Sequence, residues 1–376
     1  MKFIDLFAGI GGFRFGMESA GHECVAFCEI DKFARASYKA IHNTEGEIEL
    51  HDITTVTDDE IRNIGHVDAI CGGFPCQAFS IAGHRRGFED TRGTLFFEIA
   101  RFAAILKPKY LFLENVKGLL SHDKGNTFET ILSALDELGY DVEWQVLNSK
   151  DFGVPQNRER VFIIGHLRGE RGRKIFPIGR NGSTFDCEQP KINKVGNIRK
   201  KGKSQSGDVV SVDSLAPTLC STTTQKDPLK ILLAGNLPGS HEQNGRVYDP
   251  KGISPTLNTM QGGGRQPKIR FREATKQGYA EASVGDSVNL SHPNSKTRRG
   301  RVGEGIANTL VTGDSQGVVT PNFRIRKLTP RECWRLQGFP DWAFDKAQEV
   351  NSNSQLYKQA GNSVTVNVIK EIARYL

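Results

Sequence analysis

The first 165 residues alternate short apolar runs with segments of helical periodicity. Short continuous apolar runs predict buried strands, and an apolar stripe of helical period predicts an amphipathic helix. The predicted strands are residues 2–7, 22–29, 67–71, 110–114, 141–148 and 160–164. Helices are predicted over 95–106 and 127–138, the second with Asn126 as N-cap and Gly139 as its stop. This order indicates an α/β fold with a doubly wound, mostly parallel sheet.

The pattern changes after residue 167. Residues 168–327 contain 21 of the 40 glycines and few helical apolar patterns. A short motif of the form apolar, small, Pro or Asn, Thr, Leu occurs there three times, at 215–219, 253–257 and 306–310. Because its spacing is too uneven for a solenoid, we interpret it as three similar short units in an irregular lobe rich in β-structure and loops.

Charge separates the same two regions. Residues 168–327 carry 27 Lys and Arg against 13 Asp and Glu, a net of +14, whereas the whole chain carries +7. Basic clusters at 199–203, 268–272 and 298–301 are suited to phosphate contacts. The distribution favours a lobe that binds a polyanion such as nucleic acid, over a solvated loop region that is basic for other reasons.

Composition narrows the class of protein further. Hydrophobic residues make up 37% and charged residues 25%, which is typical of a globular chain with a sizeable core. No apolar run approaches the ~18 residues of a membrane span, so we expect no membrane association. The seven cysteines are odd in number and lack zinc-site spacing, which indicates a reducing compartment and no structural metal.

Three motifs at predicted strand ends point to a cofactor that contains a nucleoside. A Gly-rich turn spans residues 7–12 after the first strand, where glycines allow close backbone approach to a ligand. Glu29 ends the second strand, where a carboxylate can accept hydrogen bonds from both ribose hydroxyls, and Asp52 could hold an adenine amine. Each motif also has an interpretation that needs no ligand. The Gly-rich turn could serve packing alone, Glu29 could be an ordinary surface acid, and Asp52 could simply form a turn.

Three further motifs carry reactive groups. Cys76 follows Gly72-Gly73-Phe74-Pro75 in a loop that would expose its thiol to a cleft, as a nucleophile requires. Glu114 ends a buried strand, where burial raises a carboxyl pKa and suits it to act as an acid. Arg158 and Arg160 frame an acid before the last strand, and a structural ion-pair network is the alternative for them.

The order of these motifs resembles the DNA (cytosine-5) methyltransferase family, in its prokaryotic and phage restriction-modification form. Two later blocks add to the resemblance, at residues 326–340 and at Gln359-Ala360-Gly361-Asn362-Ser363-Val364. The similarity covers about residues 1–166 and 326–376, the two flanks of the basic insert. His51 departs from the pattern, since the family often has glycine before the acid at 52.

The resemblance implies a class I, Rossmann-like methyltransferase fold that uses S-adenosylmethionine and no metal. It implies a catalytic, cofactor-binding domain over 1–167, a target-recognition domain over 168–325, and a C-terminal segment, 326–376, that returns to complete the catalytic domain. The substrate would be double-stranded DNA, with the target cytosine flipped out of the helix. The catalytic candidates are Cys76, Glu114, Arg158 and Arg160. The cofactor-binding candidates are Phe7, Gly9, Gly11, Gly12, Glu29, Ile30, Asp52, Ile53, Pro75, Leu95, Asn362 and Val364.

In the implied chemistry, the Cys76 thiolate attacks C6 of cytosine and makes C5 nucleophilic. Glu114 donates to N3, and Arg160 with Arg158 stabilises O2 or the nearby phosphate. We further expect a cytoplasmic monomer, functionally paired with a restriction endonuclease. Three alternatives stay open: an RNA cytosine methyltransferase, a catalytically silent DNA-binding regulator, and a nicotinamide dehydrogenase. These patterns do not predict which DNA sequence is recognised.

Overall fold

The structure, a computed structural model, describes residues 1–75, 95–169, 174–178, 269–291, 297–313, 315–321 and 324–376, and the backbone of four short strands between 194 and 248. Its helices are α1 Gly12–Ser19, α2 Lys32–Ile41, α3 Asp58–Asn63, α4 Leu95–Leu106, α5 Asn126–Glu137, α6 Pro330–Leu336, α7 Asp341–Val350, α8 Asn353–Asn362 and α9 Val366–Ala373. Its first seven strands are β1 Lys2–Leu6, β2 Glu23–Cys28, β3 Ile48–Leu50, β4 Ala69–Gly73, β5 Tyr110–Val116, β6 Tyr140–Asn148 and β7 Glu159–Leu167. The remaining strands are β8 Lys194–Asn197, β9 Asp208–Val210, β10 Leu233–Asn236, β11 Arg246–Tyr248, β12 Ile269–Arg272, β13 Tyr279–Ala282, β14 Ser287–Asn289, β15 Val302–Gly303, β16 Gln316–Val319 and β17 Ile325–Lys327.

The first seven strands form one sheet in the order β3-β2-β1-β4-β5-β7-β6. The strands from β3 to β5 are parallel, and β7 runs antiparallel to both of its neighbours, β5 and β6. The predicted mostly parallel α/β fold is therefore confirmed. The strand order reverses between β1 and β4, which creates a switch point where ligands bind beyond the carboxyl ends of parallel strands.

Alternation along β1 explains how helices cover both faces of this sheet. Ile4 and Leu6 face a core layer that includes α4, whereas Phe3, directly before Ile4, faces a layer that includes α1 and α9. Both layers are mostly apolar, with Asp5 of β1 as a buried exception, which is why most of the strands are nearly continuous hydrophobic runs in the sequence.

Helix α5 begins one residue earlier than predicted, and its N-cap is Gly125 rather than Asn126. A 3₁₀ segment over Lys117–Gly125 leads directly into the helix, and Gly125 takes a positive φ of 100° at the junction. The Asn126 side chain instead donates to Asp123 at 3.2 Å. Gly139, with a φ of 87°, follows the helix end as predicted.

The C-terminal helices pack onto the sheet domain. Thr329 and Glu332 form a capping box at the start of α6, and Pro330 occupies its first turn. Helix α9 lies against α1, so closely that a Cβ added at Gly16 would come within 2.4 Å of Ile369. A glycine at 16 is therefore what lets the last helix join the first.

The chain divides into two compact units. The first comprises Met1–Asn181, Ile306–Gln316 and Lys327–Leu376, and the second Gly182–Gly305 and Gly317–Arg326. This differs from the insert boundaries of 168–325, because 306–316 belongs to the first unit. Backbone bonds hold that segment there: Asn157 N to Ala307 O and Ala307 N to Pro155 O, both at 2.8 Å. A change in composition along the sequence does not reveal backbone pairing between segments that are far apart in the chain.

The second unit, where it is described, consists of short antiparallel strands. Its small apolar cluster has Ile269, Ala282, Val288 and Val319 as buried members. Across the described part of the chain, no helix is long and apolar enough to span a membrane. The same residues contain no group of three or more His, Cys, Asp or Glu that could hold a metal ion.

Candidate active site

A cavity of about 510 Å³ lies within the first unit, at the carboxyl ends of its parallel strands. Its volume falls in the usual range for small-molecule sites, ~300–1,000 Å³. Most of the predicted site residues line it: Phe7, Gly9, Glu29, Ile30, Asp52, Ile53, Pro75, Leu95, Glu114, Arg158, Arg160 and Asn362. The structure thus brings residues from both flanks of the insert to one cavity.

The Gly-rich turn contributes fewer residues to the cavity than predicted. Gly9 lines it, with a φ of 56°, but Gly11, Gly12 and Val364 do not. A Cβ at Gly11 would lie 2.2 Å from His42 Nε2, and one at Gly12 would lie 2.7 Å from Val364 Cγ1. These three residues let α1 begin in close contact with its neighbours, which is a packing requirement.

Glu29 is fixed by the backbone around it. Gly9 N donates to Oε2 and Asp31 N donates to Oε1, each at 2.8 Å. Burial raises the pKa of Glu29, and these two N–H donors oppose the rise. Each carboxylate oxygen has a second lone pair, so Glu29 can still accept two hydrogen bonds from a ligand.

Next to Glu29, the cavity wall is formed by the apolar Ile30 and the acidic Asp52. Ile30 is 67% exposed and lines the cavity, so its apolar side chain is open to contact with a ligand. Asp52 accepts from Thr54 N at 3.0 Å and from Thr54 Oγ1 at 2.7 Å, both through Oδ1. These bonds lower the pKa of Asp52 and hold it as a carboxylate.

The departure at His51 is explained by its surroundings. His51 also lines the cavity, but its ring is 61% exposed, and its Nε2 lies 3.3 Å from Glu49 Oε1. A side chain larger than glycine is therefore accommodated before Asp52 without filling the cavity.

On the other side of the cavity, Glu114 pairs with Arg160 across adjacent antiparallel strands. Arg160 Nε lies 2.9 Å from Glu114 Oε1, and both side chains are largely buried. Burial raises the pKa of Glu114, and the charges of Arg160 and Arg158 oppose the rise. A Cβ at Gly73 would come within 2.9 Å of Glu114 Oε2, so glycine there leaves room for the carboxyl group.

Arg158 makes different contacts from those predicted for a group that faces substrate. Although it lines the cavity, its guanidinium donates to Leu310 O at 3.3 Å, Gly361 O at 3.1 Å and Ser363 O at 2.8 Å. It is only 3% exposed, and burial together with the charge of Arg160 lowers its pKa. Arg158 therefore joins segment 306–316 and the C-terminal segment to the start of β7.

The predicted nucleophile, Cys76, belongs to residues 76–94, which lie outside the described residues. The residues before it are well placed. Pro75 lines the cavity, and Asn115 Nδ2 donates to Phe74 O at 2.9 Å. Asn115, which is not among the predicted site residues, thus ties Phe74, two residues before Cys76, to the strand that carries Glu114.

The cavity also contains residues that the sequence analysis did not select, among them Asp31 and Lys358. Lys358 Nζ donates to Asp31 Oδ2 at 2.6 Å, across 327 positions of sequence. Lys358 lies four residues before Asn362 and directly before the block of similarity at 359–364, and its partner is not evident from any local pattern.

The fold is that of the DNA methyltransferases of known structure. A putative DNA modification methyltransferase encoded within a prophage of E. coli matches 100% of this chain and 97% of its own, with a TM-score of 0.52 and 22% identity. The Dnmt2 methyltransferase of S. pombe gives a TM-score of 0.53 at 17% identity, over 99% of this chain and 96% of its own. At such identities the likeness concerns the fold alone.

Sequence comparison is more specific. The model of the C-5 cytosine-specific DNA methylase family matches residues 1–376. The type II methyltransferase M.HhaI of Haemophilus parahaemolyticus is 36% identical over 375 residues, covering 99% of this chain and 93% of that protein. The orphan methyltransferase M.SPRI of Bacillus phage SPR is 35% identical over 432 residues, covering 100% and 97%. The chain belongs to the C-5 cytosine-specific DNA methylase family and is a cytosine-5 DNA methyltransferase.

Proposed function

We propose that this enzyme transfers the methyl group of S-adenosylmethionine to C5 of a flipped-out cytosine, within one short sequence of duplex DNA. The observation that carries the proposal is the shared cavity. The Glu114–Arg160 pair opens onto the same 510 Å³ space as Glu29, Ile30 and Asp52. The Glu114–Arg160 pair and the residues suited to binding a nucleoside thus share one cavity.

The described residues fit S-adenosylmethionine. Glu29 would accept from the ribose hydroxyls with its remaining lone pairs, Ile30 would cover the adenine, and Asp52 would hold the adenine amine. Gly9 and Phe7 would border the methionine part, with Asn362 and Leu95 completing the wall. When bound, S-adenosylmethionine supplies an electrophilic methyl group.

The protein must make cytosine C5 nucleophilic. The Cys76 thiolate would add to C6, and the electron pair of the C5–C6 double bond would move towards N3 and O2. Glu114, whose pKa is raised by burial, would in its protonated form donate to N3 and accept from the exocyclic amine. Arg160 would stabilise negative charge at O2. After C5 has taken the methyl group, its proton would pass to solvent water, the C6–Sγ bond would break to release the Cys76 thiolate, and N3 would return its proton to Glu114, which restores the aromatic ring.

Arg158 enters this proposal as a positioning residue. Its guanidinium donates to three carbonyl oxygens, and these bonds connect Asn362's neighbours to the strand that bears Arg160. We therefore assign stabilisation of O2 to Arg160 alone, and assign to Arg158 the assembly of the cavity wall.

The basic second unit supports target recognition. Its excess of Lys and Arg suits the phosphate backbone of duplex DNA, which sets register before base edges are recognised. Among the relatives, some are called type II methyltransferases and others orphan methyltransferases. We propose that this chain, acting as a monomer, protects DNA against a restriction endonuclease of the same specificity.

The test is single-base mapping of 5-methylcytosine in a methylation-free host that expresses the chain, with Cys76→Ala as the matched control. We expect methylation at one short sequence context, and none in the control. Unmodified DNA from soluble, cofactor-binding protein would overturn the proposal. Methylated cytosine in RNA from the same cells would then support the alternative polymer.

A further inference from the structure

An ion pair crosses the rim of the cavity between two distant segments. Lys358, in the middle of α8, donates to Asp31 Oδ2 at 2.6 Å, and both residues line the cavity. Asp31 is two residues from Glu29, and Lys358 is one helical turn before Asn362. The pair thus joins the loop that would hold the ribose to the helix that would close the opposite wall.

Among the described residues, the Glu29–Asp31 loop is also bonded to Gly9 and to helix α2. Arg35 Nη1 donates to Glu29 O at 2.7 Å and to Ile30 O at 2.8 Å, while the Asp31 side chain caps α2 at Phe33 N. Lys358 is the contact that reaches this loop from the C-terminal segment. It uses the Asp31 oxygen that does not cap the helix.

Docking of α8 does not depend on this pair. The neighbouring Gln359 is 5% exposed; its Nε2 donates to Phe33 O at 3.1 Å, and its Oε1 accepts from Ser37 Oγ at 3.0 Å. The ion pair itself is half-buried, with the Lys358 side chain 45% exposed. Exposed ion pairs contribute little to folding stability. The position of the ion pair at the cavity therefore indicates a role in ligand binding more than in folding stability.

We propose that Lys358 and Asp31 form a latch that retains S-adenosylmethionine by holding the Glu29–Asp31 loop against α8. The inference rests on the proposed function. Lys358 is a positioning residue: it acts on the cofactor through the loop that presents Glu29 and Ile30. The latch sets how long the cofactor stays bound, and the rate of the methyl transfer itself does not depend on it.

The test compares Lys358→Met, Asp31→Asn and the double variant with the wild-type enzyme. Asn keeps the helix cap, since it caps as well as Asp, and removes only the ion pair. Lys39→Met is the matched control, because Lys39 lies on α2 in an ion pair of 2.7 Å with Glu49, is 50% exposed, and does not line the cavity. The measurements are the Kd and dissociation rate of S-adenosylmethionine, the Tm, and kcat on duplex DNA at saturating cofactor.

We expect each single variant to raise the Kd about five- to tenfold, mainly through faster dissociation. The double variant should bind S-adenosylmethionine no more weakly than either single variant, since the two residues act as one unit. At saturating cofactor kcat should stay within about twofold, and Lys39→Met should match the wild type in every measurement.

A Kd for Lys358→Met within twofold of the wild-type value would overturn the latch, as would an equal rise in Lys39→Met. Additive effects in the double variant would also count against it. Failure of the wild-type enzyme to bind S-adenosylmethionine is a separate result, which would overturn the proposed function and the latch together.

Discussion

The two ends of the cavity are built in different ways. At the cofactor end, Glu29, Ile30 and Asp52 lie on loops after strands, held by hydrogen bonds within a few residues along the chain or from the adjacent turn. At the catalytic end, Glu114 and Arg160 sit on neighbouring strands and are largely buried. Arg158 adds bonds to segments more than 150 positions away.

These two arrangements suit different tasks, ligand binding at one end and proton transfer at the other. Local loops can present backbone-held acceptors to a ligand that must enter and leave. A proton donor such as Glu114 needs burial to raise its pKa and a partner such as Arg160 to fix its position, and neighbouring packed strands supply both. We therefore expect substitutions at the cofactor end to change KM for the cofactor, and those at the catalytic end to change kcat.

Glu114→Gln should have the largest effect. Loss of the proton donor should lower kcat by about 10²–10⁴-fold with the cofactor Kd unchanged. Because the pKa of Glu114 is raised, its protonated form persists to higher pH, and the wild-type rate should fall as pH rises through that pKa. Glutamine cannot titrate, so this falling limb should vanish from the pH profile of kcat. An unchanged rate at every pH would exclude the assigned role.

Arg158→Lys tests whether this residue assembles the cavity. A lysine cannot replace three hydrogen bonds to Leu310, Gly361 and Ser363, and should lower the free energy of unfolding by about 3 kcal/mol. Arg160→Lys is the matched comparison, and should lower kcat while changing stability by less than about 1 kcal/mol. Chemical denaturation and steady-state kinetics measure both. Equal stability of the two variants would contradict the division of roles between the arginines.

Glu29→Gln should have a smaller effect, confined to the cofactor. The amide keeps the shape of the side chain but has one acceptor oxygen, so it loses charge-assisted bonds each worth about 1.5–3 kcal/mol. We expect KM for S-adenosylmethionine to rise roughly 10–100-fold, with kcat recovered at saturating cofactor. Titration calorimetry gives the Kd directly. A fall in kcat that excess cofactor does not restore would place Glu29 at the catalytic end instead.

Particular residues show how far local patterns reach. Glu29 and Glu114 could be predicted because each ends an apolar run, and the end of a parallel strand is where a ligand meets the sheet. Gly11, Gly12 and Val364 are cofactor-binding candidates through the family resemblance, because they stand in the motifs that carry it. Their actual contacts, with His42 and with each other, depend on how α1 meets distant segments.

By itself, the sequence determined the alternation of strands and helices, the mostly parallel sheet and the family, since these follow from periodicity and from motifs read in order. The tertiary structure alone decided that 306–316 joins the first unit, that Arg158 binds carbonyls, and that Lys358 meets Asp31. The physical reason is separation along the chain. Propensity and pattern act over a few neighbours, whereas these bonds join groups that only folding brings within 3 Å or so of each other.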